Sequence, residues 1–168
     1  IDRYGGTHLH TSRTNPAKVS AKAMPEFLQG RFPYAGEKQL ADCTPHILRV
    51  LEHLGIDALI PIGGDDSLSF AVRLHQEGVR VIAIPKTMDN DVPGTYYCIG
   101  FSTCVTRTIN IANSLRTIAG SHERIMVLEV FGRYAGFTAM LPTMAGAANR
   151  CVIPEFKFDM DRLTELLI

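Results

Sequence analysis

Two short stretches concentrate the residue types that handle phosphate. In "IGGDDSLSF", residues 62–70, Gly63 and Gly64 lead into Asp65 and Asp66, and in "IPKTMDND", residues 84–91, Lys86 and Thr87 lead into Asp89, Asn90 and Asp91. A glycine turn lets backbone N–H groups and a helix N-terminus approach a phosphate closely. Carboxylates repel phosphate unless a divalent cation lies between them, so Asp65 is a candidate ligand for Mg²⁺ through hard oxygen donors. In the second stretch Lys86 supplies a cation for phosphate oxygens. One aspartate there can hold Mg²⁺ and the other can accept a proton from an attacking hydroxyl. Each stretch also has a plainer reading: Asp66 and Ser67 as helix caps, and Asp89-Asn90-Asp91 as a turn. Read together they supply what phosphoryl transfer needs.

The elements that must position these residues follow from periodicity. From residue 37 onward apolar strands alternate with polar or glycine turns and 3.6-period segments, the βα rhythm of a parallel sheet. The pattern predicts a helix over 37–54 with Leu40, Ile47, Leu48, Leu51 and Leu54 inward, strand "DALIPI", a helix over 66–77 and strand "RVIAIP". It continues with a helix over 101–119, strand "RIMVLEV", a helix over 134–145, strand "RCVIP" and a closing helix. In the long helix Val105, Ile109, Ala112 and Leu115 fall on one face. The expected class is α/β, an open, mainly parallel sheet with helices on both faces, the 168 residues forming a single α/β domain. Both strand-end loops then lie at one sheet end, where ligands of such folds bind. The first 36 residues, broken by Pro16, Pro25 and Pro33, read as loop around a short "THLHT" strand. Its His8 and His10 lack a third metal ligand at a useful spacing.

Composition narrows the partners. Lys plus Arg and Asp plus Glu both number 17, so bulk charge provides no nucleic-acid or membrane-surface binding, and any anion site is local. Cys43, Cys98, Cys104 and Cys151 show no C-x-x-C spacing and read as reduced thiols of a cytoplasmic protein. No apolar run approaches the roughly 20 residues that cross a bilayer.

Six stretches together carry a family resemblance: "GGTHLHTSRTNP", "GGDDS", "PKTMDND", "GT" with "IGFST", "SHERIMVLEVFGRYAG" and "AGAANRCVIPE". Over nearly its whole length the chain resembles the phosphofructokinase family, and within it the pyrophosphate-dependent 6-phosphofructokinases. A lone GGD is weak, but GGD with PKTxDND and a downstream GR-Y-x-G is highly specific. The resemblance implies phosphoryl transfer to the 1-hydroxyl of fructose 6-phosphate, with Mg²⁺. It makes Asp89 the base that deprotonates that hydroxyl, with Thr87 beside it, and places Asp65 and Asp91 around the metal. It assigns Arg133, with Phe131 and Gly132, to the substrate, and Arg124 to the sugar 6-phosphate across a subunit interface, which requires at least a homodimer. Arg13, Gly63, Gly64 and Lys86 go to the donor phosphates.

The donor itself is implied by two departures. ATP-using members usually carry glycine where Asp66 stands, and often where Lys86 stands. A carboxylate at Asp66 adds bulk and like charge in the path of a nucleotide, disfavouring the longer donor, while Lys86 can stabilise the leaving phosphate. Asp66 is the more telling of the two, since a lysine alone also occurs in ATP users. The alternatives are an ATP-dependent enzyme and a catalytically silent regulatory subunit or short paralogue. His10 also departs from a family glycine. Family members begin with a further strand and glycine loop and continue past "VIPE" into a second domain, so the chain is expected to be a central fragment, inactive alone.

Overall fold

The computed structural model describes residues 6–8 and 10–167. They divide into two compact units, one comprising residues 6–8, 10–61 and 66–83, the other residues 62–65 and 84–167.

In the first unit β1 (Val19–Ser20) and β2 (Tyr34–Ala35) flank β3 (Leu40–Ala41) in an antiparallel ladder. Val19, Met24, Leu28, Ala41 and Cys43 form its buried core, with Phe32 and Tyr34 packed against them. Helix α1 (Thr44–His53) starts later than periodicity predicts. Leu40 is held between two strands, and the Asp42 carboxylate accepts the Thr44 N–H at 2.9 Å in a turn just ahead of the helix, whose N-cap is Cys43. Ile47, Leu48 and Leu51 are half-buried as expected, but Leu54, the C-cap, is exposed. β4 (Ala58–Leu59) pairs in parallel with β6 (Arg80–Val81), and the chain between them carries most of α2 (Asp65–Gln76), whose Ala71 and Leu74 are buried. This is a βαβ crossover. The expected "THLHT" strand is absent among its described residues: His8 and His10 are exposed, His10 holds φ 66°, and Leu9 lies outside the described residues.

In the second unit β5 (Ile62–Gly63) pairs in parallel with β7 (Ile84–Pro85). Lys86 then bridges Ile99, just before α3 (Phe101–Ser121). Phe101 at the start of α3 meets Tyr97 in a stacked arrangement at 6.0 Å and Phe137 edge-on at 6.1 Å. Val105, Ile109, Ala112 and Leu115 lie on the more buried side of α3, which packs against α4 (Phe137–Met144). Asp159 caps the closing helix α5 (Met160–Glu165), accepting from the N–H groups of Asp161 and Arg162.

Two expected strands do not form. "RIMVLEV" and "RCVIP" are irregular, with Val127 86% exposed. A strand exists through a ladder that satisfies its backbone groups, and no described segment pairs with either. The parallel pairs and intervening helices nonetheless give the expected α/β class.

Candidate functional site

The two glycine and aspartate loops are neighbours because their strands are. Gly63 is in register with Pro85, and the backbone N–H of Lys86 donates to the Gly63 carbonyl at 2.8 Å. Gly64 follows at the edge of the strand. Its φ is not in the left-handed range and an added Cβ would meet only the Lys86 carbonyl, at 3.8 Å. Nothing in the protein itself demands glycine there. Asp65, exposed, is the first residue of α2, where a carboxylate complements the helix dipole. The Lys86 side chain is exposed and pairs with no carboxylate among the described residues.

Beyond Lys86 the alternation of Thr87, Asp89 and Asp91 gathers three oxygen-bearing side chains. Thr87 Oγ1 donates to Asp89 Oδ1 at 2.5 Å, and Asp89 is 2% exposed. A charged group so buried needs such a partner. Asp91 lies above the usual carboxylate range. Partial burial of its carboxyl is the main cause and the charge of Asp89 the second, with the Thr87 hydroxyl acting in the opposite direction. Asp91 and Asp65, the latter at the start of α2, offer carboxylate oxygens, hard acceptors suited to a divalent cation. Mg²⁺ is commonly held by one or two carboxylates, with substrate phosphates and water completing the shell. The donor set therefore fits Mg²⁺, although no cluster of three or more acidic, histidine or cysteine side chains occurs among the described residues.

The "FGRYAGF" loop, residues 131–137, is held from both sides. Thr138, 1% exposed, donates its hydroxyl to the Phe131 carbonyl, and the Glu155 carboxylate accepts the Gly136 N–H at 2.8 Å. A Cβ at Gly132, whose φ is 148°, would run into the Ala135 carbonyl, and one at Gly136 would strike Ile153 and lie 2.8 Å from Glu155 Oε2. Arg133 is exposed with its guanidinium 4.7 Å from the centre of the Tyr134 ring. Arg124, Phe131 and Gly132 line a cleft of about 900 Å³ flanked by α3 and α4, whose lining contains none of Lys86, Asp89 or Asp91. No carboxylate pairs with Arg124 or Arg133 among the described residues.

Arg13 and Asp66 belong to the other unit. Arg13 is exposed, and so is Asp66, the second residue of α2, whose carbonyl accepts from Ser69 Oγ at 2.9 Å. Neither Glu155 nor Thr138 is singled out by the sequence pattern. The pairing of Gly136 with "IPE" 19 residues later crosses too much chain to be seen in local patterns.

The family question is decided by comparison with known proteins. The sequence profile described as Phosphofructokinase matches residues 1–167. The chain belongs to the phosphofructokinase family. It is 39% identical over 159 residues to a pyrophosphate–fructose 6-phosphate 1-phosphotransferase of Amycolatopsis mediterranei, covering 95% of this chain and 40% of that protein. It is 38% identical over 139 residues to an ATP-dependent 6-phosphofructokinase of Chloroflexus aurantiacus, covering 82% of this chain and 39% of the other. A crystal structure of Pichia pastoris phosphofructokinase superimposes with a TM-score of 0.68 at 25% identity, over 74% of this chain and 14% of that one. The chain thus spans about 40% of the length of the curated phosphofructokinases it matches. Relatives at similar identity carry both donor names, so membership leaves the phosphoryl donor open. Among the described residues no helix is long and apolar enough to cross a membrane.

Proposed function

We propose that the protein transfers a phosphoryl group from pyrophosphate to the 1-hydroxyl of fructose 6-phosphate, giving fructose 1,6-bisphosphate in the cytoplasm. The observation that carries the phosphoryl-transfer reading is the Thr87–Asp89 pair: a carboxylate almost fully withdrawn from water, bonded to a hydroxyl, next to a paired-glycine loop. Asp89 takes the proton of the sugar hydroxyl as its oxygen attacks phosphorus. The bond from that phosphorus to the bridging oxygen of pyrophosphate breaks, and orthophosphate leaves with the electron pair. Lys86 offsets charge on the leaving group, and the Gly63 and Gly64 backbone binds the donor. Gly64, which the fold leaves free to be larger, is consistent with a loop kept small for a ligand. Arg133, Phe131 and Gly132 hold the sugar phosphate, and Arg124 reaches the 6-phosphate of a neighbouring copy, so the working form is at least a homodimer. Asp65 and Asp91 would hold Mg²⁺, which would supply charge neutralisation at the phosphate oxygens.

Pyrophosphate is preferred over ATP because Asp66 occupies the position after GGD and Lys86 the position before T-x-D-N-D. The second reading, ATP as donor, is favoured by relatives such as the Chloroflexus aurantiacus enzyme. Incubating the full-length protein that carries this chain with fructose 6-phosphate, pyrophosphate and Mg²⁺ while following phosphorus NMR tests the proposal. Fructose 1,6-bisphosphate and orthophosphate should appear in equal amounts, and no turnover with pyrophosphate would overturn it.

A further inference from the structure

Asn90, between the two aspartates, is unusual in backbone and in side chain. Its φ is 58°, in the left-handed region that is unfavourable for most residues and that asparagine tolerates better than others. Its side chain turns to the backbone beyond the loop: Nδ2 donates to the Tyr96 carbonyl at 3.0 Å and Oδ1 accepts the Cys98 N–H at 2.8 Å. Both ends of one amide are therefore used to close the loop 91–97.

That closure has a fixed anchor. Cys98 is buried at 4% exposure, Phe101 at 3%, and Ile99 donates its N–H to the Pro85 carbonyl at 3.1 Å. The returning chain is bonded to the end of β7 through Ile99 and to Asn90 through Cys98. In extended backbone, side chains one residue apart alternate faces and those two apart share one. A left-handed residue between Asp89 and Asp91 resets that alternation, so the separation of the two carboxylates depends on Asn90 keeping its conformation.

We infer that Asn90 is a positioning residue for phosphoryl transfer: its left-handed backbone and two-ended amide clamp on Tyr96 and Cys98 fix Asp89 relative to Asp91. This rests on the function proposed above. The clamp touches neither sugar nor donor, so its loss alters the turnover step and leaves binding of the sugar phosphate nearly intact. Misplacing a reacting group by about 1 Å can cost up to 10²-fold in rate.

The test uses the full chain with Asn90→Gly and Asn90→Asp. Glycine accepts the backbone and removes both hydrogen bonds. Aspartate keeps an acceptor for Cys98 and loses the donor to Tyr96. Two quantities are read: steady-state kcat and KM for fructose 6-phosphate, and hydrogen exchange of the Cys98 amide. In wild type the Cys98 amide should be protected. Asn90→Gly should lose that protection and about 10- to 100-fold in kcat, with KM changed less than about threefold, while Asn90→Asp keeps the protection and falls between. Wild-type kcat in Asn90→Gly, or Cys98 exchange equal in wild type and Asn90→Gly, would overturn the inference. If wild type phosphorylates no fructose 6-phosphate, the functional proposal fails by itself. An unprotected Cys98 in wild type then overturns the clamp as well.

Discussion

The backbone N–H of Lys86 donates to the Gly63 carbonyl at 2.8 Å, joining the GGD loop to the PKTMDND loop through one hydrogen bond between parallel strands. Two stretches some 20 residues apart in sequence thus become one strand-end surface, with Asp65 at its helix and Asp89 behind Thr87 at its strand.

Asp89 tests the chemistry on that surface. Asp89→Asn preserves shape and the contact with Thr87 but removes the base, so kcat should fall at least about 10²-fold while the melting temperature changes little. Thr87→Val, which leaves Asp89 Oδ1 without its donor, should cost about 1–3 kcal/mol of stability. Near-normal turnover in Asp89→Asn would remove that carboxylate from the role of base.

Asp91 tests the metal. Its carboxyl is raised by burial and then by Asp89, so the stability it contributes is present at acid pH and lost as pH rises through its raised value. In metal-free buffer Asp91→Asn should melt no lower than wild type. Added Mg²⁺ should raise the wild-type midpoint more than that of the variant. Equal Mg²⁺ response in both would show that Asp91 holds no cation.

Gly132 in the FGRYAGF loop and Gly64 in the GGD loop are glycines of different kinds. Gly132→Ala forces a Cβ onto the Ala135 carbonyl at φ 148° and should cost about 1–3 kcal/mol, with loss of sugar-phosphate affinity. Gly64→Ala meets ordinary contact at 3.8 Å and should keep the wild-type midpoint, its effect confined to the donor KM. Thermal denaturation and steady-state kinetics read the two apart. Glu155→Ala should resemble Gly132→Ala at about 0.5–1.5 kcal/mol, with Glu155→Gln restoring the acceptor for Gly136.

Cys43 gives an independent pH check. Burial, then the charge of Asp42, pushes its thiol up from the usual cysteine value. Its contribution to stability is therefore intact below the normal thiol range and lost as pH rises through the raised value. Iodoacetamide at mildly alkaline pH should alkylate the exposed Cys151 well before Cys43. Equal rates would show that the core around Val19 and Met24 opens readily.

The βα rhythm was legible because α2 and α3 each repeat an apolar face over three turns or more, a signal tertiary contacts rarely overrule. Leu40 and "RIMVLEV" were misread for a shared reason. Whether an apolar residue joins a ladder depends on which chain lies beside it, and local spacing carries no record of that neighbour. At the site, the adjacency of the loops Gly63 to Asp65 and Lys86 to Asp91 was readable from the strand pattern. The supports were not. Asn90 looked like a turn former and Glu155 carried no local signal, since their partners, Cys98 and Gly136, lie eight and 19 residues away.

Donor choice is the central claim and rests on Asp66 and Lys86. The decisive measurement is kcat/KM for pyrophosphate and for ATP at saturating fructose 6-phosphate, in the wild-type full chain and in Asp66→Gly with Lys86→Gly. The account predicts that wild type favours pyrophosphate, and that the double variant loses about 10²-fold in pyrophosphate-dependent kcat while its relative use of ATP rises. A wild-type preference for ATP, or pyrophosphate turnover unchanged in the double variant, would contradict it.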